Sequence, residues 1–168
     1  MKKADDVLTL EITNTNKRCA VGEKVGSKNL DDRKIPVISC EGACIRGEIA
    51  RLAANKLAKE EPFKRACHGE LLTVPGSNMT EWIKKSEKVV LIDGCFLRCH
   101  GRILENLIGK ENLIQFDALS YYKKYTDRFD IDSVPEEELK ETAELVADRI
   151  FTALKDEKIL HKEQQTLV

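Results

Sequence analysis

The chain has 168 residues, of which 42% are hydrophobic and 34% charged, so one globular domain with its own core is expected. Its net charge of −1 argues against a general nucleic-acid-binding protein, which would be basic. No apolar run reaches the roughly 20 residues that span a bilayer, and the N-terminus lacks the apolar core of a signal peptide. We therefore expect a cytoplasmic protein with no membrane partner, while its protein partners and oligomeric state stay open.

The N-terminal part is predicted to extend from the core. Residues 7–12 alternate apolar and polar side chains, as a half-buried strand does. Residues 14–33 are polar and contain two glycines and Cys19, which predicts a loop or hairpin. We expect residues 1–34 to form a strand-and-loop extension, 35–154 a cysteine-rich core, and 155–168 a polar tail.

Strands and helices alternate from residue 35 onward. Short apolar runs at 35–39, 88–93 and 112–116 predict buried strands. Periodic or capped segments predict four helices. The first runs from near Ala43 to before Pro62, and the second from a cap at Ser77 or Asn78 to Ser86. The third runs from about Phe96 to Gly109, and the fourth from a Ser133–Glu136 capping box to about Leu154. This alternation predicts an α/β fold, with a small, mostly parallel sheet of about four strands between helices on both faces, as in a Rossmann-like three-layer sandwich.

Two of the predicted strands run into the same cysteine pattern. The strand at 35–39 leads to Cys40 and Cys44, and the strand at 88–93 leads to Cys95 and Cys99. Each pair is a C-x-x-x-C motif at a strand-to-helix corner. If the two strands are neighbours in a parallel sheet, all four thiols meet at one sheet edge.

These thiols suit a metal better than structural disulfides, which are rare in a reducing compartment. A helix N-terminus lowers a cysteine pKa and favours thiolate, the metal-binding form. Four thiolates suit Zn²⁺, with an iron–sulfur cluster as the alternative. Cys67 is expected to supply a fifth ligand, an alternative fourth or a mobile thiol; His100 is assigned to the outer shell and Cys19 to no site role. Metal handling, metal sensing and thiol redox chemistry, including a metal-free disulfide switch, all stay open.

The first motif also permits a thiol-enzyme interpretation. Cys40 and Arg46 form the C-x5-R spacing of cysteine phosphatases and arsenate reductases, in which backbone N–H groups and the arginine hold an oxyanion. Gly47 stands where those enzymes usually have serine or threonine. This interpretation makes Cys40 the nucleophile and leaves Cys95 and Cys99 without a role.

The motifs resemble those of the DGC-domain family, named for its Asp-Gly-Cys tripeptide and associated with zinc binding. Asp93-Gly94-Cys95 ends an apolar strand, the segment from Cys40 to Gly47 is similar to the first family motif, and Cys67 to the middle one. The resemblance extends over residues 35–116. It implies a metal site made of Cys40, Cys67, Cys95 and Cys99. It does not imply a particular activity.

Overall fold

A four-stranded parallel sheet forms the centre of the computed structural model, which describes residues 7–156. The strands are β1 (Ile35–Ser39), β2 (Phe63–Arg65), β3 (Val89–Asp93) and β4 (Leu113–Asp117), in the order β2-β1-β3-β4. Every neighbouring pair is parallel. Because β2 and β3 lie on opposite sides of β1, the switch point of the sheet lies between β1 and β3. The predicted parallel sheet, and the pairing of the two strands that lead to C-x-x-x-C motifs, are confirmed.

Helices cover both faces of this sheet in the described part of the chain. They are α1 (Ala20–Asp31), α2 (Ile45–Leu57), α3 (His68–Thr73), α4 (Asn78–Lys85), α5 (Cys99–Ile108), α6 (Leu119–Tyr122) and α7 (Glu136–Asp156). Helices α2, α6 and α7 pack on one face, and α1, α3, α4 and α5 on the other. All residues of β1 and β3 are buried, as unbroken apolar strands between two helical layers should be. The three-layer α/β prediction is confirmed.

Residues 7–12 do not form the predicted strand. They have no regular secondary structure, and Leu8 and Leu10 are 83% and 72% exposed. Alternating side chains indicate which face a strand would bury, but a strand also needs a neighbour for its backbone hydrogen bonds. Of the strands in residues 7–156, none pairs with this segment, which explains why the alternation was misleading.

Residues 14–33 contain helix α1, where the sequence predicted a loop. The Sγ atom of Cys19 accepts a hydrogen bond from Gly22 N at 3.3 Å and caps the helix. The buried face includes Gly22 and Gly26 rather than large apolar residues. A Cβ on Gly26 would lie 2.3 Å from Met79 N, so glycine allows α1 to cross the start of α4 in backbone contact. The glycines that indicated a loop are therefore helix-packing positions.

Two other helix starts differ from the predictions. Helix α5 begins at Cys99, after Arg98 with a left-handed φ of 50°, so Phe96 lies outside the helix and is 73% exposed. Ser133 does not cap the last helix, because it ends a 3-10 turn and its hydroxyl donates to the carbonyl oxygen of Asp130 at 2.6 Å. The predicted capping box is therefore absent.

The remaining helix boundaries agree with the predictions. The Ser77 hydroxyl accepts from Thr80 N at 3.1 Å and caps α4. Helix α7 passes Leu154 and reaches Asp156, and the rest of the predicted tail lies outside the described residues. Across residues 7–156, no helix has the length and apolar character needed to cross a membrane.

Candidate metal centre

Three strand-to-helix corners carry cysteines at one edge of the sheet. Cys40 directly follows β1, and Cys44 directly precedes α2. Cys95 follows β3, Cys99 begins α5, and Cys67 directly precedes α3 at the end of β2. Because the strands are parallel, all three corners lie at their carboxyl edge. The sequence predicted two corners; the third was missed because a three-residue strand has no recognisable periodicity.

Gly94 brings the β3 corner against the first turn of α2. A Cβ on Gly94 would lie 2.9 Å from the carbonyl carbon and oxygen of Arg46 and 3.0 Å from Gly47 N. A Cβ on Gly47 would lie 2.5 Å from the carbonyl oxygen of Gly42, in the loop after β1. Neither contact has room for a side chain. The glycines therefore allow the loop that carries Cys95 to lie beside the start of α2.

Asp93 fixes the start of α5. Its side chain is only 1% exposed, and its two carboxyl oxygens accept hydrogen bonds from His100 N at 3.2 Å and Gly101 N at 3.1 Å. Burial raises the pKa of Asp93, while the two backbone hydrogen bonds act in the opposite direction. By satisfying these N–H groups, the aspartate of the Asp-Gly-Cys tripeptide holds the helix that begins with Cys99.

None of the six cysteines forms a disulfide, so all are available as thiols. The partly buried thiols are those of Cys40, Cys44 and Cys95. The exposed thiols are those of Cys19, Cys67 and Cys99. The Cys40 Sγ accepts from Gly42 N at 3.4 Å, and the Cys99 Sγ accepts from the Arg102 guanidinium at 3.7 Å. The capping role of Cys19 accounts for that residue without a place in the site.

Two buried polar groups near the α2 corner have no hydrogen-bond partner among residues 7–156. Tyr122 is 8% exposed, and its hydroxyl is unpartnered, as is the buried Nε of Arg46. Burial raises the pKa of Tyr122, Arg46 lowers it, and the charges of Cys44, Cys95 and Asp117 raise it further. Arg46 was singled out in the sequence only by its C-x5-R spacing from Cys40, and Tyr122 was not singled out because it has no diagnostic spacing to the cysteines.

The C-x5-R interpretation finds little support in the position of Arg46. Its Nη1 donates to the carbonyl oxygen of Thr126 at 3.1 Å, rather than to the loop after Cys40. The Gly42 N–H does point to the Cys40 Sγ, but this contact suits a metal-binding thiolate equally well. Thiol-enzyme chemistry therefore stays a prediction that no contact of the arginine favours.

A histidine pair joins two of the corners. The rings of His68 and His100 are T-shaped, with centroids 5.0 Å apart and planes at 90°. Burial lowers the pKa of His68, and so does the charge of His100. The Nδ1 atom of His100 is buried and has no hydrogen-bond partner in the described part of the chain. Each histidine directly follows a corner cysteine, Cys67 or Cys99.

The cysteines share an edge but are not yet gathered around one point. Within residues 7–156, no group of three or more His, Cys, Asp or Glu side chains is arranged to hold a metal ion. The free thiols nevertheless match the donor type that zinc and iron–sulfur clusters use. Ligation by Cys40, Cys44, Cys67, Cys95 and Cys99 therefore stays a prediction.

Comparison with known families agrees with this architecture. The DGC domain matches residues 36–146, from β1 into α7, so the match spans all three cysteine corners. No curated protein and no solved structure matches the chain. Since the match covers more than half of the sequence, the protein belongs to the DGC domain family.

Proposed function

We propose that this protein is a metal–thiolate protein that binds Zn²⁺ at the carboxyl edge of its sheet. The observation that supports this proposal is the placement of cysteines at three strand-to-helix corners of one edge. Helix N-termini favour thiolate, and four thiolates are a common zinc ligand set. The ligands are four of five cysteines: Cys40, Cys44, Cys67, Cys95 and Cys99.

Binding requires these side chains to turn toward a common point. The exposed Cys67 and Cys99 side chains have room to do so. The contact of Gly94 with α2 keeps two of the corners together before metal binds. No thiol has to leave a disulfide first.

A zinc ion held by four thiolates has no open coordination position. Such a site is structural or sensory rather than catalytic. Five cysteines for four positions leave one thiol free to exchange, which favours metal handling, metal sensing or thiol redox chemistry in the cytoplasm. An iron–sulfur cluster on the same cysteines is the second candidate, because thiolates are also its ligands.

Metal and sulfide analysis of anaerobically purified protein separates these two candidates. We expect a colourless protein that contains about one zinc ion per chain. Absorption at about 400 nm, together with acid-labile sulfide, would instead identify an iron–sulfur cluster.

Serine variants test the ligand set. Cys40→Ser and Cys95→Ser should each lose most of the bound zinc, since each removes a thiolate at the edge. Cys19→Ser is the matched control, because serine is itself a preferred helix cap and should leave the zinc content unchanged. The zinc proposal fails if both edge variants keep full zinc occupancy.

A further inference from the structure

We propose that residues 7–12 of one chain add as a fifth strand to the outer side of β4 in a second copy, so that two chains exchange these segments in a dimer. The outer side of β4 is the side that faces away from β3. This inference does not rest on the proposed function, because the outer side of β4 is separate from the cysteine corners at the carboxyl edge.

Four backbone groups on the outer side of β4 have no hydrogen-bond partner in the described part of the chain. The register pairs Asp93 with Asp117, and Ala118 N continues the ladder by donating to the carbonyl oxygen of Asp93 at 2.8 Å. Since backbone groups alternate in direction along a strand, those of Leu113, Gln115 and Asp117 point outward. Local turns use the Leu113 N–H and the carbonyl oxygen of Asp117. The Leu113 carbonyl oxygen, both groups of Gln115 and the Asp117 N–H therefore remain for a neighbouring strand.

Strand β4 lacks the features that usually protect a strand at the side of a sheet. Such strands are commonly short or charged. Strand β2, at the opposite side of the sheet, has three residues, of which Lys64 and Arg65 are charged. Strand β4 has five residues with a single charge at its end, and its Leu113 and Ile114 are only partly buried. The outer side of β4 is therefore a favourable place for strand addition.

The same chain contains a segment suited to this position. Residues 7–12 alternate so that Leu8, Leu10 and Ile12 share one face of an extended strand. All three side chains are exposed, and a hydrogen-bonded turn at residues 14–17 separates them from α1. Several large apolar side chains exposed together indicate an interaction surface. Strand addition would bury them, which is favourable.

The two faces of β4 match the two faces of this segment. Ile114 and Phe116 lie on the side of the sheet that α6 and α7 cover, whereas Gln115 lies on the α5 side and donates to Glu105 at 2.9 Å. The apolar face of the segment therefore belongs beside Ile114 and Phe116, and its polar face beside Gln115. Cross-strand apolar pairs of this kind stabilise a sheet.

A second copy is the occupant because every chain carries both halves of this interface. The exposed segment has no strand neighbour in its own fold, and the outer side of β4 has no strand either. Reciprocal exchange forms the contact twice and closes the assembly as a dimer. Without exchange the protein is a monomer with an exposed apolar segment, and this difference decides the test.

Sedimentation velocity of the full chain with a thiol reductant, at about 1–100 µM, measures the dimer. We expect a reversible dimer. Replacing both leucines of the segment (Leu8→Lys with Leu10→Lys) should weaken it at least about tenfold, because two apolar side chains lose their burial. Leu145→Lys is the matched control, since this leucine is exposed on α7, and it should leave the dimer unchanged.

A second variant tests the other half of the interface. Gln115→Pro removes an outward N–H, and proline is tolerated in a strand at the side of a sheet when its nitrogen faces outward. We expect this variant to be monomeric over the same range. Gln115→Ala is its control, because alanine also loses the contact with Glu105 but keeps the N–H; it should remain a dimer.

The proposal is overturned if the wild type is a monomer throughout the range, or if either the double lysine variant or Gln115→Pro keeps the wild-type dimer. Hydrogen exchange of the wild type covers the case in which a variant does not fold. The N–H groups of Gln115 and Asp117 should exchange more slowly at concentrations that favour the dimer, because strand pairing protects them. Exchange in β4 that does not depend on protein concentration would refute the proposal.

Discussion

Replacing Gly94 by alanine should separate the β3 corner from α2. The new Cβ would lie 2.9 Å from the carbonyl carbon and oxygen of Arg46, whereas ordinary contacts begin at 3.4 Å. One of the two backbones must therefore move by about half an ångström. Neither moves freely, because Ile45 and Ile49 of α2 and all of β3 are fixed in the core.

The expected cost follows from this overlap. Overpacking of this kind destabilises a protein by about 1–3 kcal/mol. With a urea m-value of about 2 kcal/mol/M, the unfolding midpoint of the metal-free protein should fall by about 0.5–1.5 M. Because the displaced loop carries Cys95, zinc affinity should fall as well, as competition with a colorimetric chelator would show.

Gly69→Ala is the matched control for this substitution. Its Cβ would lie 3.6 Å from the Cys67 Sγ, an ordinary contact, within helix α3. Alanine is preferred over glycine in a helix by up to about 1 kcal/mol, so this variant should be as stable as the wild type or more so. The packing argument would be refuted by a Gly94→Ala variant whose unfolding free energy stays within about 0.5 kcal/mol of the wild type.

Three further predictions concern the metal-free protein. Asp93→Asn removes a carboxyl group whose pKa is raised in the folded protein. The stability advantage of the wild type over this variant should therefore be largest below about pH 4. It should disappear as the pH rises through the pKa of Asp93 in the folded protein. Urea unfolding between about pH 3 and 7 measures this, and a pH-independent difference contradicts it. Ser77→Ala removes the cap of α4 and should cost about 0.5–2 kcal/mol in the same assay; an unchanged midpoint would show that the cap contributes nothing. Tyr122→Phe removes a buried, unpartnered hydroxyl, so stability should stay equal or rise by up to about 1 kcal/mol, and a clear loss of stability would mean that the hydroxyl has a partner.

The sequence predicts the elements whose signal is local and apolar. Residues 88–93 contain a run of four apolar residues and predict strand β3 to within one residue. The periodic apolar positions of α7 are buried as expected. Helix α1 was not predicted, because its close packing depends on Gly22 and Gly26, and glycines in a polar segment indicate a loop. Residues 7–12 show the reverse error, since they have a strand pattern but no strand to pair with.

The sequence alone indicates the chemistry of the carboxyl edge of the sheet. It shows a repeated C-x-x-x-C motif at predicted strand-to-helix corners, and thiols are ligands that suit zinc. Only the tertiary structure decided that a third corner, with Cys67, lies at the same edge, and that His68 and His100 are in contact. It also showed that the thiols share an edge without being gathered into a ligand cluster within residues 7–156. The physical reason is that local pattern sets the conformation of a segment, whereas the order of strands and the close contacts of glycines set the distances between segments remote in the chain.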